Sequence, residues 1–305
     1  MADRLLILTW HNVDASWSYP CPRGAGAPGL VRQLRQLARV ATVVPLESAL
    51  DALVAGRPLP PRAVALTFDD GYQDNIDLAV PMLEWLGLPA TFFLVPGILS
   101  GEVKPWWEVL GWAFTRSRHA TVDWGGRRLP TRGQAGRRSL RWAEERLKTL
   151  DRNGRDRMVA ELRGRLEPVG TTDVGDLFLD WDCARQLVRR GFTVGSHSMH
   201  HAILSRETDD EQAQDLAASR RALETALDVP VHLLAYPNGS RVDYDAGTVR
   251  AAERAGYAHA LTVRPGLNDR STPTHELRRV VLEPAPHFAT IAVRRVASKL
   301  ARAVR

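Results

Sequence analysis

Two adjacent carboxylates close an apolar run, Ala65-Leu66-Thr67-Phe68-Asp69-Asp70-Gly71, and far downstream two imidazoles, His197 and His201, follow another, Phe192-Thr193-Val194. Side chains alternate in direction along a strand, so Asp69 and Asp70 leave the strand end on different sides and can hold different jobs, one binding a metal and the other moving a proton. In a helical turn, the i,i+4 spacing of His197 and His201 would set both rings on one side, roughly 5–6 Å apart at Cβ, close enough to share a cation. A carboxylate joining them would complete a His2Asp set, and Asp70 is the candidate. Such a set leaves positions open for water, as a hydrolytic zinc site needs and a closed structural site lacks. Each motif alone is weak, because a DDG triplet is often a turn and a loop histidine is usually solvated. Their shared position after strand-like runs is what points to one pocket with ligands and base converging.

The elements that must position these groups alternate. Strand-like runs at Leu5–His11, Val40–Leu46, Ala63–Asp69, Pro89–Pro96, Phe192–Ser198, Val231–Pro237, His259–Arg264 and Arg278–Glu283 are mostly separated by amphipathic segments. This βα repetition, with no GxGxxG after the first strand, predicts an α/β fold built as a distorted or incomplete (β/α) barrel, TIM-like, rather than an open doubly wound sheet. In such barrels the chemistry sits at the C-terminal strand ends, where His11, Asp69, Asp70, His197, His201, Tyr236 and Pro237 all fall. The alternation fails at 101–176, which is read as an insertion into a single domain spanning 1–287, with a long amphipathic helix over Ser139–Leu166 interrupted near Asn153-Gly154. Trp106, Trp107, Trp112 and Trp124 of this segment serve either as a sugar-stacking wall or, the favoured reading, as packing onto the barrel. The tail, 288–305, reads as an amphipathic basic helix that caps the barrel, with contact to a membrane surface as the alternative.

Composition bounds the rest. The chain of 305 residues is 44% hydrophobic, enough for a large core, and its net charge of +6 arises from 41 basic and 35 acidic residues spread along it. No zinc-finger spacing, RNP-like aromatic motif or helix-turn-helix signature accompanies that charge, so no nucleic-acid partner is expected. Cys21 and Cys183 stand in unlike contexts and imply reduced thiols rather than a disulfide framework. The apolar N-terminal run is too short for a signal peptide and no stretch approaches ~20 apolar residues, so a soluble, cytoplasmic protein is expected.

On these residues the chain resembles the polysaccharide deacetylase family, carbohydrate esterase family 4, which carries the NodB homology domain. Thr67-Phe68-Asp69-Asp70-Gly71 matches its first motif residue for residue, and His197-Ser198-Met199-His200-His201 matches H-[S/T]-x-x-H. The resemblance implies Asp69 as general base and Asp70, His197 and His201 as ligands of a divalent metal, usually zinc. His200 is then a bystander, although spacing alone would let it replace His201. Leu233-Leu234-Ala235-Tyr236-Pro237-Asn238-Gly239 is similar to the third motif, in which the Asn238 N–H would help form an oxyanion hole; Tyr236 and Pro237, with Trp10, are the candidate substrate-binding residues. The family arginine of that motif is Ala235 here, and Arg279, in a segment similar to L-P-R-I, is the candidate to orient Asp69. The late L-x-H motif, whose histidine is the general acid, is missing. Leu8-Thr9-Trp10-His11-Asn12-Val13 instead resembles the M-Y-H-x-I strand of exopolysaccharide-type members, in which the motif order is circularly permuted, and His11 would be the acid. The implied reaction is hydrolysis of an acetamide on an N-acetylated sugar, either an N-acetylglucosamine-type glycan or a lipid- or nucleotide-linked intermediate. An O-acetyl, formyl or non-sugar amide substrate, or a carbohydrate-binding pseudoenzyme, are the alternatives.

Overall fold

The computed structural model describes residues 4–21 and 24–283; the expected helix over 288–305 lies outside them. In chain order the elements are β1 (Leu6–Trp10), α1 (Gly26–Val40), β2 (Thr42–Val43), α2 (Leu46–Val54), β3 (Ala63–Phe68), α3 (Val80–Leu86), β4 (Thr91–Leu94), α4 (Pro96–Leu99), α5 (Trp106–Thr115), β5 (Thr121–Trp124), β6 (Arg127–Pro130), α6 (Gly133–Leu147), α7 (Arg152–Leu166), α8 (Trp181–Arg189), β7 (Thr193–Ser196), α9 (Asp209–Leu227), β8 (Leu233–Ala235), α10 (Ala246–Ala255), β9 (His259–Leu261) and β10 (Val280–Val281).

Eight of these strands form one sheet, ordered β10-β1-β3-β4-β7-β8-β9 with β2 also paired to β3, and every pairing in it is parallel. The sheet curls into a half-barrel with helices, the distorted (β/α) barrel of the NodB type. A parallel bridge between Leu261 and Leu277 ties the edge strand β9 to the segment leading into β10, which pairs with β1 on its other side.

Strand parity sorts the side chains into two cores. Leu6, Leu8 and Trp10 of β1, Val64, Leu66 and Phe68 of β3, and Phe92 and Leu94 of β4 face outward and pack with Leu30, Leu34, Leu83, Leu187, Leu216 and Leu223 of the helices. Leu5, Ile7, Ala63, Ala65, Phe93, Leu233 and Ala235 face inward, and Leu46, Leu50 and Leu53 of α2 join them. Gly195 of β7 belongs to this interior: a Cβ there would stand 2.5 Å from Cε1 of Phe93, so only glycine leaves room for that ring.

The segment 101–176 differs in detail from the expected long helix. It holds α5, the antiparallel hairpin β5–β6, which sequence reasoning missed, and two helices in place of one. The break falls at 148–151, because Asp151 caps α7 by accepting a hydrogen bond from the Gly154 N–H; Asn153-Gly154 lies within the first turn of α7. Trp106, Trp107, Trp112 and Trp124 are all buried in a core shared by these elements, with Phe114, Leu140, Leu162 and Leu166. No helix among the described residues is long and apolar enough to cross a membrane.

Candidate active site and metal centre

Asp69 sits just past β3 with the inward parity of Ala65 and Thr67, and its buried carboxylate meets Arg279, which is fully buried. Nη1 of Arg279 donates to Oδ1 at 2.7 Å and Nη2 to Oδ2 at 2.8 Å, a planar fork on a planar carboxylate. The same guanidinium donates through Nε to the Thr262 carbonyl at 3.1 Å and through Nη1 to the hydroxyls of Thr9 and Thr67 at 3.2 and 3.3 Å. Burial raises the Asp69 carboxyl, but Arg279 outweighs it and holds the group below its ordinary value, ionised.

Asp70 turns the other way. Its φ of +71° and that of Gly71, +75°, place two successive residues in the left-handed region, which aspartate tolerates better than most side chains and glycine adopts freely. This kink swings Asp70 toward β7, where His197 and His201 wait. Nε2 of His197 and Nε2 of His201 each lie 3.3 Å from Oδ1 of Asp70, in hydrogen-bond geometry with neither, so that buried oxygen has no hydrogen-bond partner among the described residues. The three ligand atoms lie within 4.8 Å of one another. The Ala235 carbonyl, 2.7 Å from Nδ1 of His197, can only accept, which places the proton on Nδ1 and aims the Nε2 lone pair at the cluster. Burial opposes the charge on Asp70, but the two imidazoles hold its carboxyl well below the usual range. One carboxylate and two imidazoles, buried, with converging lone pairs and an orphaned oxygen, fit a divalent cation of the zinc class.

The histidine loop departs from the expected helical turn. Residues 197–201 are irregular, with positive φ at Ser198 (63°) and His201 (50°), and the two rings come to 5.0 Å by that path instead. Asp215 of α9 fixes the loop: Oδ1 accepts from the Met199 N–H and Oδ2 takes Nδ1 of His200, each at 2.7 Å. His200 is thereby turned away, which decides between the two histidines that spacing left open.

A cavity of about 60 Å3 gathers Asp69, Asp70, His197, His201, His11, Tyr236 and Asn238. Asn238 has a φ of +58°, and the Tyr236 hydroxyl donates to the His275 carbonyl at 3.1 Å. Pro237 is buried beside them and is not on the cavity wall. Trp10 is a correction: it is fully buried with the outward parity of Leu6 and Leu8, stacked on Phe68, with its Nε1 donating to Gln33 of α1 at 2.9 Å, and so stands on the far side of the sheet from the site.

On the opposite wall stand Trp106 and Trp107, two of the tryptophans the sequence offered for sugar stacking or packing, with Tyr19, Glu144 and Lys148, which sequence reasoning missed. Glu144 and Lys148 have the i,i+4 spacing of an ordinary surface pair, so nothing in the sequence marked them; burial pushes the Glu144 carboxyl up to about 7. Behind them Glu108, fully buried, accepts from the Ser16 and Tyr72 hydroxyls at 2.7 and 2.8 Å and from the Trp17 and Ser18 N–H groups at 2.9 and 3.2 Å. Trp107 donates from Nε1 to the Tyr72 hydroxyl at 2.8 Å, and its ring packs 4.6 Å from that of His201.

The family profile described as polysaccharide deacetylase matches residues 56–121 and 135–260, which carry both the aspartate pair and the histidine loop. The chain belongs to the polysaccharide deacetylase family. A Bacillus subtilis (strain 168) protein named as a polysaccharide deacetylase, YxkH, is 22% identical over 243 residues, 80% of this chain; the chain spans 59% of that relative's length. The deacetylase PplD of Streptococcus pyogenes, solved in complex with acetate, superposes with a TM-score of 0.63 at 16% identity, covering 97% of this chain and 99% of that one. IcaB of Ammonifex degensii gives 0.60 at 18%, covering 96% and 97%, and the BpsB deacetylase domain of Bordetella bronchiseptica 0.59 at 17%, covering 92% and 96%. At these identities the likeness of the chain to the solved structures is one of fold.

Proposed function

We propose that this member of the polysaccharide deacetylase family is a metal-dependent hydrolase that removes the acetyl group from the nitrogen of an N-acetylated sugar. The observation that carries the reading is the pairing, in one cavity, of an ionised Asp69 clamped by Arg279 with the Asp70, His197 and His201 cluster. Asp70 and the two Nε2 atoms would hold the ion, zinc by the softness of two imidazoles, and when bound it supplies Lewis acidity toward the acyl carbonyl and acidifies a water. Asp69, fixed in plane by Arg279, accepts the proton of the attacking water through a lone pair the fork leaves open. The backbone N–H of Asn238 donates to the carbonyl oxygen as negative charge develops there, a contribution of about 3–4 kcal/mol for a well-placed donor. His11, on the wall of the same cavity, gives a proton to the departing nitrogen, so that acetate and a free amino sugar leave.

The test is metal content together with acetate release from N-acetylglucosamine oligosaccharides and nucleotide-linked acetamido sugars. Asp69→Asn should retain metal and lose turnover, His197→Ala should lose both, and His11→Ala should slow turnover with metal retained. Acetate release that survives Asp69→Asn would overturn the assignment of the base.

A further inference from the structure

A second cavity, of about 660 Å3, lies between α5 and α7 and shares Trp106 with the first; His200 lines it, next in the chain to His201 of the metal cluster. Its walls carry Lys104, Arg152, Arg155 and Arg163, with Glu102, Asp156 and Asp173 as the acidic groups. Much of that acidity is spent locally: Asp173 pairs with Lys104 at 2.9 Å, and Asp156 stands 3.5 Å from Nε of Arg155. Arg152 and Arg163 have no ion-pair partner among the described residues.

Two buried donors at this cavity lack acceptors. Arg155 is 2% exposed, yet its Nε has no hydrogen-bond partner, and its Nη1 reaches only the His201 carbonyl, at 3.5 Å. Trp106 is 6% exposed and its Nε1 is likewise unpartnered. The Arg155 guanidinium lies 5.5 Å from the Trp106 ring centre, and that of Arg163 lies 5.6 Å from Trp112, so aromatic faces hold both forks in place. A buried N–H without an acceptor costs about 1–3 kcal/mol, and beside two arginines without ion-pair partners a small shift of either side chain would offer it to a ligand rich in acceptors and negative charge.

We infer that this cavity is a subsite for an oxyanion, a carboxylate or a phosphate, carried by the unit of the substrate next to the N-acylated sugar. The inference rests on the deacylase reading of the neighbouring site and narrows its substrate to acidic glycans or phosphorylated sugars. A neutral N-acetylated oligosaccharide offers acceptors but no charge to balance Arg152 and Arg163.

The experiment compares three probes on the metal-loaded full chain: a neutral N-acetylglucosamine tetrasaccharide, a tetrasaccharide alternating N-acetylglucosamine with glucuronate, and N-acetylglucosamine 1-phosphate. Acetate release gives kcat and KM, and calorimetry on Asp69→Asn gives binding without turnover. A preference for an anionic probe, expressed in KM, should fall about tenfold in Arg155→Gln and in the double variant Arg152→Gln/Arg163→Gln, neither of whose side chains is buried. Whether glucuronate or phosphate shows the preference identifies the oxyanion. Equal handling of all three probes, or a preference that survives both variants, overturns the subsite while leaving the deacylase intact. Arginine-dependent binding of an anionic probe with no acetate released from any probe would instead keep the subsite and remove the deacylase.

Discussion

Asp69 and Asp70 are chemically identical and adjacent, and the fold separates them by what each meets: a guanidinium fork for one, two imidazole lone pairs for the other. The difference is fixed by strand parity and by the left-handed kink at Asp70-Gly71, so the divergence of the two carboxylates was legible once the strand was recognised. The same parity rule, followed back along β1, puts Trp10 on the outer face with Leu6 and Leu8; sequence proximity to His11 concealed this. Arg279 was legible only through resemblance, since nothing local says that an arginine beside Arg278 is the buried one. Replacing it tests its weight. Arg279→Met leaves the Asp69 charge buried without its partner, and urea unfolding should show a loss of about 3–5 kcal/mol. Turnover should fall with it, since nothing else on the described barrel grips both Asp69 oxygens.

At the scale of elements, three loops do the positioning, and each is held by a carboxylate from elsewhere. Asp215 on α9 clamps the histidine loop, so Asp215→Ala should keep helix content by circular dichroism yet weaken zinc binding about 10–100-fold in competition with a chromophoric chelator. Glu108 on α5 organises residues 16–18, and Glu108→Ala, which orphans two hydroxyls and two N–H groups, should lower stability by about 3 kcal/mol or more in denaturant melts. Asp74, after the Asp70-Gly71 kink, accepts from the N–H groups of Val13 and Asp14 at 2.8 and 2.9 Å just beyond His11; burial pushes its carboxyl up to about 6. The proton therefore binds the folded state more tightly than the unfolded one. The contribution is fully present below the ordinary carboxylate value of about 4 and is lost as pH rises through about 6. Stability measured across that window should decline in the wild type, and the decline should be smaller in Asp74→Asn, the raised Glu144 carboxyl supplying part of the rest. None of these clamps was visible in the sequence, because an acid that caps a remote loop has no spacing signature. The hairpin β5–β6 escaped for a related reason: two four-residue strands are too short to establish a period.

For the molecule as a whole, the βα repetition and all eight main-sheet strands were readable because buried parallel strands are continuous apolar runs. The segment 101–176 was visible only as a failure of that rhythm, and its contribution to the cavity wall depends on tertiary packing that no local pattern encodes. Since the metal cluster joins residues of β3's end to the loop after β7, an ion there bridges distant parts of the barrel. Chelation should lower the melting temperature and zinc should restore it, with His197→Ala insensitive to both. Gly195→Ala, forcing a Cβ against Phe93, should cost about 1–3 kcal/mol by overpacking. The Phe93 ring in turn lies 5.5 Å from the Arg279 guanidinium, which comes from the segment just before β10, the last strand described, while Asp69 follows β3. During synthesis from the N-terminus, then, the chain presents its inward carboxylate long before the arginine that neutralises it exists. Sealing the interior around Asp69 before Arg279 arrives would bury an unpaired charge, so the docking that closes the barrel is also the one that completes the candidate site.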